Sequence, residues 1–383
     1  MMRIALISRG CRPGSGIELY TYELAKRLAA RHEVHLLTNP GEVLACGAVV
    51  RPIRVFAKPL WHSIAAFSSR AGFEAQTGGY DVVHTQGSDG TWGDVVTAHS
   101  CHAAGMRASL RLDPSLGNRL RKALSPAHRV IVGLERTTFL SARHLVAVSR
   151  RVGRQLRAAY PGTREIPMSV IYPGVDADYF SPEALSSRRS LMRSELGLPP
   201  SAVVFTLLAN APRLKGALRL IHSLALTRQA QSHLLVATPQ GPEAELRRLA
   251  GRLGLEKRVH FCQVGPDVLS VYAATDVQAG LPEYESFGLA LLEAMACGRP
   301  LLLTRNAGAA ELVRHQREGF LLPCLCGPRE TAAAMDQLTR DSALRAAMGE
   351  TCRGTAREHS WDRMVDTLEA VYRRVAEEKK IKL

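Results

Sequence analysis

The stretch 282–304, PEYESFGLALLEAMACGRPLLLT, constrains the fold more than any other part of the chain. It reads as a loop ending in Ser286-Phe287-Gly288, an apolar helical run over 289–297, a turn at Gly298 and a strand-like run over 300–304. Loop, helix, turn and strand in that order make the second half of a parallel α/β unit. A helix beginning near Ser286 would aim its first unbonded N–H groups forward and form an anion site at its mouth. Glu285 stands at that mouth, and Glu293 follows after seven intervening residues, about two turns in. Two carboxylates so placed can hold two hydroxyl-bearing parts of one ligand with a phosphate between them.

The rest of the chain repeats the same unit. Residues 3–8 read as a buried strand, 11–15 as a Gly/Pro turn, 16–31 as a helix with Leu19, Tyr22, Leu24, Ala25 and Leu28 at helical spacing, and 33–38 as a strand. Gly14-Ser15-Gly16 is followed by Leu19 where a dinucleotide fingerprint needs its third glycine, which disfavours a nicotinamide site. Strands are expected over 49–55, 81–85, 94–97 and 169–172, and a helix over 61–75. After Pro199-Pro200 a second series begins, with strands over 203–208, 233–237, 259–261, 277–279, 300–304 and 319–323 and helices over 216–230, 242–253 and 266–274. Residues 329–372 read as helical. A last helix around 361–375 carries Trp361, Met364, Val365, Leu368, Val371 and Tyr372 on one face, before a charged, frayed tail at 377–383. At about 150 residues per domain, 383 residues imply two or three domains.

Charge narrows the partners. The formal net charge is +15, which favours an acidic partner: nucleic acid, anionic lipid or a phosphorylated ligand. Most of the excess lies between 107 and 165, where thirteen Arg/Lys face only Asp113, Glu135 and Glu165. These basic residues lack interleaved aromatics, and no nucleic-acid-reading motif accompanies them, so a non-enzymatic nucleic-acid-binding protein is the weaker alternative and no nucleic-acid partner is expected. The eight cysteines are scattered without paired spacing, as for free thiols in a reducing cytosol. The opening MMRIALISRG is a strand broken by Arg9 and not a signal peptide, and no apolar run reaches a membrane span. Any membrane contact is therefore expected to be peripheral, on the cytoplasmic face.

The 282–304 stretch resembles the E-x7-E motif of glycosyltransferase family 4, which typically reads E-x-F-G-hydrophobic-x-x-x-E-A-M-A-x-G-x-P. Glu285, Phe287, Gly288, Glu293, Ala294, Met295, Ala296, Gly298 and Pro300 all match. Other motifs agree with the resemblance. Gly16 matches the second glycine of the family's N-terminal loop, with Ser15 in place of the first. Thr97-Ala98-His99 matches its T-x-H. Residues 171–176 with Phe180 match its interdomain crossing, and Asn306-Ala307-Gly308 with Glu311 its A-G-G-x-x-E, Ala309 replacing the second glycine. Lys215-Gly216 matches the end of its G-R-x-x-x-K-G; Arg213 lies closer to the lysine than usual, and Ala209 stands where glycine is common.

The resemblance implies an α/β GT-B fold of two Rossmann-like domains across a cleft. Residues 1–175 would take the acceptor, 176–360 the nucleotide sugar, and a helix in 361–383 would cross back to the first domain. It implies retaining transfer of a hexose-type sugar from a UDP- or GDP-linked donor to a glycan or lipid-linked acceptor. His99 and Glu285 would serve the reacting sugar. Gly16, Arg213, Lys215, Ser286, Phe287, Gly288 and Leu289 would hold the diphosphate, and Glu293 the ribose. Basic groups at the diphosphate leave no need for a metal or other cofactor, and Asp176-Ala177-Asp178 falls in the linker. A sugar-nucleotide epimerase of the same fold is the alternative within enzymes. Residues 134–139, followed by 146–150, resemble the lipopolysaccharide-core glucosyltransferases, which points to cell-envelope polysaccharide synthesis at an anionic membrane surface.

Overall fold

The computed structural model describes residues 1–14, 16–241, 244–265 and 267–381. The chain forms two compact units: residues 1–174 together with the helix Trp361–Ile381 (unit 1), and Val175–Ser360 (unit 2). Among the described residues unit 1 has seven parallel strands: β1 (Arg3–Ile7), β2 (Glu33–Thr38), β3 (Val49–Pro52), β4 (Val82–Gln86), β5 (Val95–Ala98), β6 (His144–Ala147) and β7 (Met168–Val170). Their order is β3-β2-β1-β4-β5-β6-β7. Unit 2 has six: β8 (Val203–Leu208), β9 (Ser232–Thr238), β10 (Val259–Gln263), β11 (Val277–Gly280), β12 (Leu301–Thr304) and β13 (Gly319–Leu322), in the order β10-β9-β8-β11-β12-β13. Helices cover parallel strands on both faces, so central strands are apolar without alternation. Ile4, Ala5, Leu6 and Ile7 of β1 are all fully buried, as are Leu301, Leu302 and Leu303 of β12.

Both sheets reverse direction of growth at one point. In unit 1 the chain runs outward from β1 through β2 and β3, then returns to the other side of β1 with β4. In unit 2 the same reversal separates β8–β10 from β11–β13. Ligands of open α/β sheets bind outside the carboxyl ends of the strands at such a switch point. The loops after β1, β4 and β5, and those after β8 and β11, hold the candidate residues.

Several sequence expectations need correction. The helix after Gly216 is only Ala217–Leu224, not 216–230. Strand β3 stops at Pro52 rather than 55: Ile53 N still donates to Thr38 O at 2.8 Å, but its partner β2 ends at Thr38. The helical region after 328 is three helices: Pro328–Arg340, Ser342–Arg357 and Trp361–Ile381. Asp341 makes the first break, its side chain accepting from Leu344 N at 2.8 Å and starting a new helix. A helix absent from the sequence reading, Pro182–Glu195, is capped by Ser181. The helices expected over 242–253 and 266–274 are Ala244–Arg252 and Val268–Ala274; their first expected residues, 242, 243 and 266, and Ser15 of the glycine loop, lie outside the described residues.

The last correction concerns the tail. Instead of fraying after 376, the final helix continues to Ile381. Lys379 donates to Tyr80 O at 2.9 Å and lies 3.2 Å from the fully buried Asp94 carboxylate. That carboxylate also accepts from Val83 N in β4. At its start the same helix pairs Asp362 with Arg27 at 2.8 Å, and Leu368, Tyr372 and Val375 are buried along its middle.

Candidate active site

Unit 2 builds its candidate site from two loops that touch. The chain leaves β8, runs through 209–215 and turns into the helix Ala217–Leu224 at Gly216, whose φ is +94°. A β-carbon there would stand 2.4 Å from Leu281 O, so only glycine lets the loop lie on the exit of β11. The contact is a short ladder, with Leu281 N donating to Lys215 O at 3.0 Å and Glu283 N to Leu214 O at 3.1 Å. Backbone pairing therefore delivers the Lys215 side chain to the loop after β11. Its Nζ lies 2.6 Å from Glu285 Oε2 and donates to Tyr284 O at 3.1 Å. Both side chains keep about a fifth of their surface exposed, at 21% and 20%. Two sequence candidates 70 positions apart thus form one ion pair at the carboxyl ends of the strands.

Glu285 is fixed from its other side as well. Gly308 N donates to Glu285 O at 3.2 Å and Ala309 N to Phe287 O at 2.8 Å, so the loop 306–309 is laced to the loop 285–287. The Phe287 ring is buried and pins that loop down. The helix starts later than the sequence suggests. It spans Leu289–Ala296, and Gly288, at φ +97°, caps it in the left-handed region. Ser286 and Phe287 therefore belong to the loop, and the helix mouth is at Gly288 and Leu289. Glu293 is the fifth residue of the helix, little more than one turn in rather than two.

Glu293 receives a hydrogen bond that the sequence does not suggest. Tyr272 Oη donates to Glu293 Oε2 at 2.6 Å and contacts Ala290 O at 3.1 Å. Burial pushes the Glu293 carboxyl up, and the tyrosine bond pulls it back part of the way. Burial, reinforced by the Glu293 charge and hydrogen bond, holds the Tyr272 hydroxyl well above its ordinary value. Arg213 is not brought to the Lys215–Glu285 pair; its guanidinium meets Glu245 at 2.8 Å, both side chains about half exposed. Pairs of that kind are worth about 0–1 kcal/mol, so this one yields readily to a competing anion. Asp176 of the Asp176-Ala177-Asp178 run accepts from Asp178 N and Tyr179 N at 3.2 and 2.9 Å and so serves its own turn.

Unit 1 places His99 immediately after β5, its side chain 8% exposed. The ring is fixed by Gln86, the last residue of β4, whose Oε1 lies 2.8 Å from His99 Nε2. Tyr20 packs edge-on at 4.7 Å between ring centroids. Behind Gln86 stands His84, with Nδ1 2.6 Å from Tyr372 Oη and Nε2 2.7 Å from Thr97 Oγ1. Burial lowers both imidazoles to about 3, so they are neutral near pH 7. An amide oxygen can only accept, so His99 carries its proton on Nε2 and turns Nδ1 away from Gln86. Gly16 opens the helix Gly16–Ala29 at the exit of β1.

Sequence reading missed Gln86, Tyr272 and Glu135. A signal existed for Gln86, since it ends a parallel strand where ligands gather. Tyr272 had none, lying in an ordinary apolar helix. Glu135 is buried, accepts from His102 N at 2.9 and 3.0 Å and from Tyr160 Oη at 2.6 Å, and is pushed up to about 7 by burial. It closes the N-terminus of the helix His102–Leu112.

Known proteins share this architecture. The family described as Glycosyltransferase Family 4 matches residues 14–179, and Glycosyl transferases group 1 matches residues 189–355. The D-inositol 3-phosphate glycosyltransferase of Salinispora arenicola is 31% identical over 95% of this chain and 88% of its own length. That of Thermomonospora curvata is 31% identical over 95% and 91%. Among solved structures, WaaG, a glycosyltransferase involved in lipopolysaccharide biosynthesis, superposes with a TM-score of 0.77 at 20% identity, covering 96% of this chain and 99% of its own. HepE of Anabaena, in complex with UDP-glucose, gives 0.70 at 22% identity over 99% and 100%. The parallel sheets with their switch-point loops are thus those of GT-B enzymes, and the chain belongs to the family 4 glycosyltransferases.

Proposed function

We propose that the enzyme transfers a hexose-type sugar from a UDP- or GDP-linked donor, with retention at the anomeric carbon, to a phosphate-bearing or lipid-linked glycan acceptor of the cell envelope. The Lys215–Glu285 pair carries this reading, because it joins a cation for a diphosphate and a carboxylate for sugar hydroxyls at one point. As the anomeric bond breaks, charge gathers on the leaving diphosphate. Lys215, Arg213 and the helix mouth at Gly288 and Leu289 stabilise it electrostatically. Glu293, held by Tyr272, binds the ribose hydroxyls; Glu285 orients the sugar. In unit 1, Gly16 lines the β1 exit and neutral His99 accepts a hydrogen bond at Nδ1 from a hydroxyl of the reacting sugar without placing a second positive charge beside the anomeric carbon. No metal is assigned, since side-chain cations and helix amides do the neutralising.

The crystallised HepE complexes contain UDP and UDP-glucose, which favours UDP over GDP. A second acceptor reading rests on the relatives' name, D-inositol 3-phosphate glycosyltransferase: a free phosphorylated polyol in place of a lipid-linked glycan. Donor hydrolysis and thermal shift over a panel of nucleotide sugars test the donor. Addition of inositol phosphate or of a lipid-linked phosphoglycan then tests the acceptor, with the anomer of the product read by NMR. An inverted product, or activity abolished by EDTA and restored by Mg²⁺, defeats the proposed mechanism.

A further inference from the structure

Cys11 and Cys46 lie apart in the sequence and meet in the fold as free thiols. Cys11 stands after β1, in the loop that leads to Gly16. Its backbone pairs with the loop after β2: Cys11 N donates to Glu42 O at 2.8 Å, and Leu44 N donates to Cys11 O at 2.9 Å. That second loop turns at Gly47, whose φ is +79°. The Cys46 sulfur is hydrogen-bonded to the Cys11 thiol, and Ala48 N, just past the turn, donates to the same sulfur.

The two sulfurs have unequal surroundings. Cys11 is fully buried, and the Glu18 carboxylate stands near enough to oppose a negative charge on it. Glu18 is held there by Arg12 and lies across Gly10, where a β-carbon would come within 2.9 Å of its side chain. Cys46 keeps 7% of its surface exposed and has two donors, the Cys11 thiol and Ala48 N. The shared proton therefore stays on Cys11. The bond to Cys46 and burial raise the Cys11 thiol, whereas the bonds from Cys11 and Ala48 lower the Cys46 thiol. Burial raises Cys101, Cys262, Cys297 and Cys352 instead, so these stay protonated and slow to react. A thiolate in touch with water beside a buried neutral thiol is the arrangement of an attacking and a resolving cysteine.

We propose that Cys46 and Cys11 form a reversible disulfide when the enzyme meets a hydroperoxide, Cys46 attacking and Cys11 resolving. The Cys46 thiolate attacks one peroxide oxygen, the O–O bond breaks, and Cys46 becomes a sulfenic acid as hydroxide leaves. The Cys11 sulfur then attacks the Cys46 sulfur, the S–O bond breaks, and the Cys11 proton departs with that oxygen as water. Two electrons pass from the sulfurs to the peroxide oxygens, and the hydroxide takes up the proton that Cys46 gave to solvent on ionising. A small dithiol reverses the bond by exchange. The bond ties the loop ahead of Gly16 to the loop after β2, so the oxidant acts on the exit of β1.

The test treats the full-length chain with hydrogen peroxide at pH 7, blocks the remaining thiols with N-ethylmaleimide and maps the peptides with and without dithiothreitol. A linked pair of peptides carrying Cys11 and Cys46 of one chain is expected, released by dithiothreitol and formed about 10-fold or more faster than any other cysteine is consumed. Alkylation of Cys46 by iodoacetamide should show a midpoint below the value of about 8.5 of a free thiol. C11S should stop at the sulfenic acid, trapped on Cys46 by dimedone. C46S should lose the fast reaction altogether. Absence of the Cys11–Cys46 linkage in the wild type, a result that depends on no variant, overturns the proposal. A linkage found only between chains does the same, and dimedone capture on Cys11 in C46S at the wild-type rate overturns the assignment of roles.

Discussion

In unit 2 the candidate site is charged and lies within one continuous stretch of chain: Lys215 meets Glu285, 70 positions on, across two neighbouring loops, and Glu293 follows on the next helix. In unit 1 the candidate site is neutral and remote in the chain: His99, Gln86 and His84 form a buried network whose far end is Tyr372, 288 residues from His84. A charged pair can keep part of its surface in water, which solvates the charge that its partner leaves uncovered. A neutral network must be buried and fully bonded, because each unmatched polar atom in it costs about 1–3 kcal/mol. The two halves therefore fail in different ways.

The largest effect is expected at Lys215. Lys215→Ala should lower kcat/KM roughly 100- to 1,000-fold, as loss of a transition-state donor does, and weaken nucleoside diphosphate binding with the fold unchanged. Calorimetry showing undiminished affinity would remove Lys215 from the donor site. Next comes acid. His84 and His99 are held near 3 against an ordinary value of about 6.5. Below pH 6.5 the unfolded chain takes up protons that the buried rings refuse. Stability of unit 1 is thus full above that pH and falls as pH drops toward 3, by about 2 kcal/mol per ring at pH 5. Hydrogen exchange at pH 7 and pH 5 should show β4 and β5 losing more protection than β8 and β11. Equal losses would erase the contrast between the units.

In unit 2 the resemblance to the family motifs picked out Lys215-Gly216, Glu285 and Glu293, and the structure shows the local reasons for their pattern. Lys215-Gly216 needs glycine for a close backbone approach, and Glu285 and Glu293 flank one helix start. What was not legible depended on distant partners. The true start of that helix rests on Gly288 adopting a positive φ, while the loop 285–287 is held from 307–309. The Pro182–Glu195 helix has a weak apolar pattern and buries Arg193 against Asp276, so periodicity could not reveal it; Ser181-Pro182-Glu183 was the usable signal. The tail seemed frayed because its lysines look solvated until Asp94 is seen beneath Lys379.

Two smaller changes sharpen the comparison. Tyr372→Phe removes the hydroxyl at His84 Nδ1 and should cost unit 1 about 1–2 kcal/mol, read in urea melts, with nucleotide affinity intact. A loss of nucleotide affinity in that variant would mean that the two networks are coupled. Tyr272→Phe does the converse. Without its donor the Glu293 carboxyl rises further, and nucleotide affinity should weaken several-fold, about 1 kcal/mol, most visibly for the ribose-bearing part of the donor. Affinity equal to wild type would free Glu293 from the ribose role.

The last helix closes unit 1, yet it is made after the whole of unit 2. During synthesis the strands β8 to β13 and their loops have all emerged before Tyr372 and Lys379 exist. Domains fold as units while the chain grows. A nascent chain ending at residue 360 already holds every residue of the Lys215–Glu285 and Tyr272–Glu293 pairs, but leaves His84 and Asp94 facing a groove with no occupant. The order of translation thus completes unit 2 first and seals unit 1 last.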